Sequence, residues 1–297
     1  MPILSRYSTS WKARSGLAES AVIFQNPRGE KLVGVYHEPE VPPRAAIVML
    51  HGWSGTRSGP HQMLTRAARL FSEQGYAVLR FDFSGRGDSD GDTELATLAT
   101  MQSDARAAFA WVRDRTEAPI WVLGLCSGCE IVVAAADSTL SGAILWSAPI
   151  FAALPSGERA SKKRSENLQK YARKLLNPAT YLKVLRGQVD TKAVSKAMAG
   201  GGGAASKNVE SDAPGQLPPG FRRAALDNWQ KLQLPRLQIY GSADPITDEA
   251  LQWYRENSGR APDTAFIEGA NHSFYGLGWE AQVFDKTIQW LARQGPK

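Results

Sequence analysis

The stretch VLGLCSGCEIVVAAA, residues 122–136, joins two apolar runs through a turn of small residues. Residues 124–128 read Gly-Leu-Cys-Ser-Gly, which is the G-x-S-x-G spacing of a nucleophile elbow with cysteine in place of serine. Small residues are needed beside such an elbow because the turn is strained and the strand and helix lie close together. The N-terminus of the following helix favours a thiolate. The stretch therefore predicts Cys126 as a nucleophile between a strand and a helix.

The length and composition indicate one α/β domain with an insertion. A chain of 297 residues is long enough to bury a large core. Its first residues lack the apolar segment of a secretory signal, and no later apolar run is long enough to span a membrane. The two cysteines are three residues apart, which excludes a disulfide framework. We therefore expect a cytoplasmic protein with reduced thiols and no transmembrane segment.

Short apolar runs alternate with helical patterns along most of the chain. An opening hairpin is predicted from residues 21–24 and 31–37. Further strands are predicted at residues 46–50, 76–81, 120–123, 142–146, 237–240 and 265–267. Helices are predicted at residues 62–74, 101–116, 247–257 and 279–292, and one follows the elbow. This alternation is typical of an α/β protein with a mostly parallel, doubly wound sheet.

The alternation stops between residues 151 and 232. This stretch contains fifteen Lys and Arg against six Asp and Glu, whereas the whole chain has a formal net charge of only +6. It combines amphipathic helical patterns with a Gly-rich run at residues 200–205, which would lose much conformational entropy on ordering. We therefore predict a core of residues 1–150 and 233–297. The predicted basic helical cap, with a flexible loop, is inserted after the sixth strand.

The basic charge of the predicted cap bears on the partners of the protein. One interpretation is a surface for an acidic partner, namely an acyl carrier protein, the phosphates of an acyl-CoA or an anionic membrane surface. The other interpretation is a solvated basic surface with no partner. Nucleic acid is not expected, because the basic residues lack the folds and base-stacking platforms that such binding uses.

A nucleophilic cysteine needs a base, and the base needs an acid that orients it. His272 lies in a polar loop, ANHSFYG, directly after the last predicted strand, where it can reach over the carboxyl edge of the sheet. Asp244 follows the preceding strand in YGSADPIT. Asp248 is an alternative acid, but it falls inside a predicted helix. Because the order nucleophile, acid, histidine is that of the hydrolase elbow, we predict a triad of Cys126, Asp244 and His272.

Acyl chemistry also requires hydrogen-bond donors for a developing oxyanion. The loop after the first central strand, HGWSG, contains glycines that let its backbone approach a substrate closely. We assign the two donors to the backbone N–H groups of Trp53 and Ser127. His51 is interpreted as a hydrogen-bonding support for this loop. Substrate contacts are predicted for Gly52, Trp53, Tyr171 and Tyr181.

The two cysteines also read C-x-x-C, which has other interpretations. A zinc site fails because there is no second cysteine pair and the four histidines have no ligand spacing. A redox pair of Cys126 and Cys129 stays open as a minor hypothesis, as does a binding protein that keeps the pocket without turnover. Taken alone, Cys129 is best interpreted as a small buried apolar residue. No metal or other cofactor is expected.

Five motifs, HGWSG, FDFSGRGDSDG, GLCSGC, YGSADPIT and GANHSF, occur in register with the predicted strands. Together they resemble the α/β-hydrolase superfamily over nearly the whole chain outside the cap. The cysteine elbow resembles that of dienelactone hydrolases, which are shorter and have no cap of this type. The elbow and the segment YARKLLNPATYLKVLRG resemble more closely the hydrolases associated with bacterial exosortase systems. The resemblance implies an α/β-hydrolase fold.

The predicted reaction is hydrolysis of an ester or thioester through an S-acyl-cysteine intermediate. The alternative is an acyltransferase with the same three residues, which moves an acyl group from a carrier protein or CoA to an amine, alcohol or thiol. A thiolate is a good leaving group, so an acyl-cysteine can pass its acyl group to such acceptors at little energetic cost. The predicted substrate is in both cases a small acyl compound.

Overall fold

The computed structural model describes residues 18–151 and 217–295. In them, eight strands form one sheet in the order β1-β2-β4-β3-β5-β6-β7-β8. The strands are β1 Ala18–Gln25, β2 Lys31–Glu38, β3 Ala45–Leu50, β4 Tyr76–Phe81, β5 Ile120–Leu125, β6 Gly142–Trp146, β7 Arg236–Gly241 and β8 Asp263–Ile267. Strand β2 is antiparallel to both β1 and β4, and every other pair is parallel. The predicted hairpin and mostly parallel sheet are confirmed.

Helices cover both faces of the sheet. Strands β3 to β7 consist only of buried residues, as expected of parallel strands between two helical layers. One face packs against α1 Met63–Glu73 and α6 Leu277–Gln294; the other packs against α2 Leu98–Arg113, α3 Gly128–Ala135, α4 Phe221–Lys231 and α5 Thr247–Asn257. None of these described helices is long and apolar enough to cross a membrane. Two apolar layers therefore fix the carboxyl edge of the sheet, where the loops of interest lie.

Helix α2 begins three residues before its predicted start at residue 101. The Thr97 hydroxyl accepts a hydrogen bond from the N–H of Thr100 at 3.1 Å, and the Thr100 hydroxyl accepts one from the N–H of Thr97 at 2.8 Å. Such a reciprocal cap satisfies two N–H groups that the helix leaves free. Local hydrogen bonding therefore sets the start of α2, which the apolar pattern does not mark.

Most of the predicted cap, residues 151–232, lies outside the described residues and stays a prediction. Tyr171, Tyr181 and the Gly-rich loop belong to this part. The described end of the stretch contains α4, which packs Leu226 and Trp229 into the same apolar core as α3. The last turns of the predicted cap thus contribute to the core that covers one face of the sheet.

The buried guanidinium of Arg236 holds α4 against the sheet. This side chain of β7 donates hydrogen bonds to the carbonyls of Trp229 and Leu232 at 2.6 and 2.7 Å. It also donates to the carbonyl of Ser258, which follows the last turn of α5. Carbonyls at a helix C-terminus have no partner within the helix, so the guanidinium satisfies groups from two helices at once.

Candidate active site

The predicted elbow lies where the central strand β5 ends. Cys126 connects β5 to α3 with a left-handed backbone, φ 54°. Its N–H donates a hydrogen bond to the carbonyl of Trp146 at 2.9 Å, which ties the turn to β6. A residue other than glycine adopts this conformation at an energetic cost that the surrounding structure must offset. The turn therefore projects the Cys126 side chain from the carboxyl edge of the sheet.

Close approach explains the two glycines of the elbow. A Cβ atom on Gly124 would lie 2.8 Å from the backbone N of Cys129. A Cβ atom on Gly128 would lie 2.3 Å from the carbonyl O of Leu50. Neither distance is compatible with an ordinary carbon contact. The spacing of small residues that predicted the elbow thus has a steric cause, because β5, α3 and the end of β3 meet here.

The structure brings together the three residues of the predicted triad. His272 Nε2 lies 3.0 Å from Cys126 Sγ, and His272 Nδ1 lies 2.7 Å from Asp244 Oδ2. The Asp244 side chain is 1% exposed, whereas that of His272 is 34% exposed. Asp248, the alternative acid, is exposed in the first turn of α5. The geometry therefore favours Asp244, in a thiol–imidazole–carboxylate arrangement.

The contacts of Cys126 and His272 change the pKa of both groups. Burial raises the pKa of the Cys126 thiol, but the hydrogen bond and charge of His272 and hydrogen bonds from Ser127 outweigh it, so this pKa lies below its ordinary value. The hydrogen bond to Cys126 raises the pKa of His272 to about 9, against the effect of burial and with further support from Asp244. A lowered thiol pKa beside a raised imidazole pKa shifts the two groups toward a thiolate–imidazolium pair.

The side chain of Asn271 holds the backbone of the loop that carries His272. The side-chain oxygen of Asn271 accepts hydrogen bonds from the N–H groups of Ser273 and Tyr275, each at 3.1 Å. A Cβ atom on Gly241, at the end of β7, would lie 2.2 Å from the carbonyl O of Ala270. The loop therefore packs directly on the strand that precedes Asp244, which brings the imidazole within reach of the carboxylate.

A charged cluster that the sequence analysis did not identify anchors the same loop. Arg66 of α1 donates to both carboxylate oxygens of Glu280, at 2.7 and 2.5 Å, and Glu280 is 2% exposed. His61 Nδ1 lies 2.5 Å from Glu280, while His61 Nε2 lies 3.3 Å from the carbonyl O of Ser273. The cluster thus joins α1 and α6 to the residue next to His272. Arg66 and Glu280 are 214 positions apart, so no local sequence pattern predicts their contact.

The predicted oxyanion donors lie beside the elbow. The N–H of Trp53 donates a hydrogen bond to the side-chain oxygen of Ser127 at 2.7 Å, and Arg86 Nε donates to the carbonyl of Trp53 at 2.8 Å. A Cβ atom on Gly52 would lie 3.2 Å from Ser127 Oγ. The loop after β3 therefore packs closely on the start of α3. The contact made by the Ser127 hydroxyl was not predicted, because a motif indicates backbone spacing and not a rotamer.

The surroundings of His51 and Cys129 agree with a supporting role for His51 in the loop after β3 and with a buried apolar role for Cys129. His51 is 1% exposed; its Nδ1 lies 2.8 Å from the Gly52 carbonyl O, and its Nε2 accepts a hydrogen bond from the N–H of Phe83 at 3.3 Å. Cys129 is fully buried, its Sγ lies 3.1 Å from the Gly124 carbonyl O, and burial raises its pKa well above the ordinary value. His51 therefore supports the loop, and Cys129 is a buried neutral thiol.

The sheet order and this site define an α/β-hydrolase. Residues 41–277 match the family described as Serine aminopeptidase, S33, and the chain belongs to this family. The fold is similar to that of the α/β hydrolase GrgF from Penicillium sp. sh18, with a TM-score of 0.64, 18% identity and coverage of 94% of this chain and 99% of that one. The esterase domain of a Rhodothermus marinus protein gives a TM-score of 0.59 with 21% identity, covering 93% of this chain and 99% of that one.

Two curated relatives are similar over part of the chain. Lysophosphatidylserine lipase ABHD12 of Xenopus tropicalis is 32% identical over 112 residues, which are 37% of this chain and 28% of that protein. Quorum-quenching protein AidA of Acinetobacter baumannii is 36% identical over 104 residues, 33% of each protein. The chain thus spans about a third of the length of these relatives. The predicted enzyme of the α/β-hydrolase class is confirmed. The resemblance to exosortase-associated and dienelactone hydrolases is not confirmed and stays a prediction.

Proposed function

We propose that the protein is an acyl hydrolase that cleaves an ester or thioester through an S-acyl intermediate on Cys126. The contact of 3.0 Å between His272 Nε2 and Cys126 Sγ carries the proposal, because it pairs a thiol with a base at a nucleophile elbow. The contact of 2.7 Å between His272 Nδ1 and Asp244 supports it, because the carboxylate orients the ring. The lipase and esterase names of the similar proteins fit an ester substrate.

The proposed reaction begins with attack of the Cys126 thiolate on the acyl carbon. The carbonyl π electrons move to oxygen, and the N–H groups of Trp53 and Ser127 hold the resulting oxyanion. When the oxyanion collapses, the bond to the leaving group breaks and the His272 imidazolium gives it a proton. Neutral His272 then removes a proton from water, which attacks the thioester. The resulting tetrahedral intermediate collapses, the C–S bond breaks and the acid leaves, so Cys126 is again a thiolate and His272 keeps the proton taken from water.

Gly52 and Trp53 are the proposed substrate contacts among the described residues. Trp53 is 41% exposed, although its N–H donates to the hydroxyl of Ser127 at 2.7 Å. An exposed indole next to an acyl-binding N–H offers an apolar surface to an acyl chain. Tyr171 and Tyr181 stay predicted contacts outside the described residues. Docking of an acyl carrier protein or acyl-CoA on the basic cap, and a cytoplasmic location, also stay predictions.

A sulfur nucleophile also gives a reason to test acyl transfer. An S-acyl-cysteine is a thioester, and a thioester reacts with amines, alcohols and thiols as well as with water. The same residues would then pass the acyl group to an acceptor. The two reactions differ only in the molecule that attacks the intermediate, so the lifetime of the acyl-enzyme distinguishes them.

The test is the intact mass of the protein after mixing with p-nitrophenyl butyrate and, separately, with butyryl-CoA. We expect a mass gain of one butyryl group on the unchanged chain and on Cys129→Ala, and none on Cys126→Ala. Cys129→Ala is the matched control because Cys129 is fully buried three residues away. Rapid loss of the adduct in water indicates a hydrolase, whereas loss only on adding an amine, alcohol or thiol indicates a transferase. An adduct that persists on Cys126→Ala contradicts the proposal.

A further inference from the structure

The side chain of Ser127 occupies an unusual place for a serine at the start of a helix. Ser127 is the N-cap residue of α3, yet its hydroxyl makes no capping hydrogen bond to that helix. Serine is favoured at this position because its hydroxyl accepts from a free N–H of the first turn. Here the hydroxyl oxygen accepts instead from the N–H of Trp53 at 2.7 Å. The side chain is thus turned away from its own helix and toward the loop after β3.

The same hydroxyl lies beside the predicted nucleophile. A Cβ atom on Gly52 would lie 3.2 Å from Ser127 Oγ and 3.8 Å from Cys126 Cβ, so both side chains face the loop that carries Trp53. The hydroxyl therefore sits next to Cys126 and on the N–H of Trp53. An acyl oxygen bound to that N–H during attack by Cys126 must occupy the same region. Because one N–H supplies one hydrogen, a strong bond to the hydroxyl and a strong bond to an acyl oxygen exclude each other.

We propose that Ser127 is a positioning residue whose hydroxyl fills the oxyanion pocket of the free protein and leaves it when an acyl oxygen binds. The proposal rests on the function proposed above. Rotation about the single Cα–Cβ bond is sufficient for the change. In the free protein the oxyanion pocket thus holds the neutral hydroxyl of Ser127, the residue that follows the nucleophile in the chain.

This arrangement favours the charged oxygen over the neutral one. A ground-state carbonyl is no better an acceptor than a hydroxyl, so it gains little by displacing Ser127. The developing oxyanion makes a charge-assisted hydrogen bond that is roughly twice as strong, and it therefore displaces the hydroxyl. A group that is displaced only as charge develops weakens substrate binding more than transition-state binding. Ser127 accordingly raises the selectivity of the pocket for the tetrahedral state.

The test uses butanal, which forms a tetrahedral adduct without a leaving group. The thiolate attacks the aldehyde carbon and the carbonyl π electrons move to oxygen, which gives a hemithioacetal oxyanion while His272 keeps its proton. Affinity is measured as protection of the thiol from iodoacetamide at increasing butanal concentration, with Cys126→Ala as the blank. Cys129 is fully buried, so the labelling rate reports on Cys126.

We expect Ser127→Ala and Ser127→Gly to bind butanal on the order of fivefold more tightly than the unchanged chain, because about one net hydrogen bond no longer has to be displaced. Ser127→Thr, which keeps a hydroxyl, should retain the original affinity. Weaker binding by the Ala and Gly variants would show that the hydroxyl donates to the adduct, and unchanged binding would show that it is not displaced; either result overturns the proposal. The thiol pKa of each variant, read from the pH dependence of alkylation, allows comparison at equal thiolate fraction.

A second measurement separates this proposal from the proposed function. The exchange rate of the Trp53 amide proton, followed by NMR without any substrate, should rise in Ser127→Ala and stay low in Ser127→Thr. Equal exchange in all three chains overturns the inference even if esters are hydrolysed. If Cys126 gives neither an acyl adduct nor a butanal adduct while the amide behaves as expected, the proposed function fails and the displacement step falls with it.

Discussion

Two histidines follow strands of the same sheet and differ in protonation. His51, after β3, is buried, and burial lowers its pKa to about 4. His272, after β8, is about one-third exposed, and its hydrogen bond to Cys126 raises its pKa to about 9. The two rings have the same chemistry and comparable places after a strand. Their surroundings differ: His51 faces backbone amides, whereas His272 lies between a thiol and a carboxylate.

The comparison shows that the partner groups, and not the residue type, assign the role of each histidine. A ring that donates to one backbone group and accepts from another must be neutral, so His51 is a fixed support of the loop that carries Trp53. A ring between two groups that become negative is stabilised when protonated. His272 can therefore hold a proton near neutral pH and give it to the leaving group, as the proposed mechanism requires.

The largest expected effect is the difference in kcat/KM between variants of the two histidines. His272→Gln removes the base and should lower kcat/KM for p-nitrophenyl butyrate by about 10³-fold, within the range typical of general base loss. His51→Gln keeps a donor and an acceptor and should lower it by less than about tenfold, because it acts only through the position of the loop. Steady-state kinetics of both variants test this. A larger loss in His51→Gln would reverse the assignment.

The next largest effect is expected from Asp244, the carboxylate that contacts His272, whereas the ring nitrogens of His51 contact backbone groups. Asp244→Asn should lower kcat/KM by about 10²-fold or more, because the amide no longer stabilises the imidazolium. The pKa of His272 should fall and that of the Cys126 thiol should rise, which the pH dependence of iodoacetamide alkylation measures. Asp248→Asn, an exposed change four residues away, is the control and should leave both pKa values in place. An unshifted alkylation profile in Asp244→Asn would contradict the role of the carboxylate.

A third prediction tests the packing that brings the His51 loop to the elbow. Gly128→Ala places a Cβ atom 2.3 Å from the carbonyl O of Leu50, so we expect a loss of about 2–3 kcal/mol in the free energy of unfolding. Gly278→Ala is the matched control, since its added Cβ would meet no atom within 4 Å among the described residues. Because Gly278 lies in helix α6, its replacement by alanine should leave the free energy of unfolding unchanged or raise it slightly. Equal urea midpoints for the two variants would exclude the steric explanation.

The smallest effect is a pH dependence of stability. The ordinary pKa of histidine is 6.5 and that of folded His51 is about 4, so between these pH values the unfolded chain binds a proton that the folded chain does not. This contribution to stability is present above pH 6.5 and is lost as the pH falls toward 4. The raised pKa of His272 acts oppositely: its contribution is complete below pH 6.5 and is lost as the pH rises through about 9.

The measurement is urea unfolding between pH 4.5 and 7. Relative to His51→Gln, the unchanged chain should lose stability with falling pH by at most about 1.4 kcal/mol per pH unit, the value for one proton. Identical pH profiles for the two chains would show that folding leaves the pKa of His51 unchanged, which contradicts the effect of burial on this ring.

Long apolar runs, together with turn residues at the ends of elements, made much of the fold predictable. Strands β4 and β6 and helix α5 have the bounds that the patterns predict. The errors lie at ends that local hydrogen bonds decide, as at Thr97 before α2. The basic composition of residues 151–232 places α4 in the predicted cap. Its apolar side chains nevertheless pack on α3, and Arg236 of β7 binds its last carbonyls.

The sequence by itself determined the sheet, the elbow at Cys126 and the placement of Asp244 and His272 after successive strands, because periodicity, turn residues and chain order are local properties. Parallel strands end at one edge, so residues that follow them meet there. Only the tertiary structure decided which groups touch: the hydroxyl of Ser127 with the N–H of Trp53, and the guanidinium of Arg66 with the carboxylate of Glu280. These contacts join residues 74 and more than 200 positions apart, and they arise because packing helices on both faces of the sheet fixes distances and rotamers that no local pattern encodes.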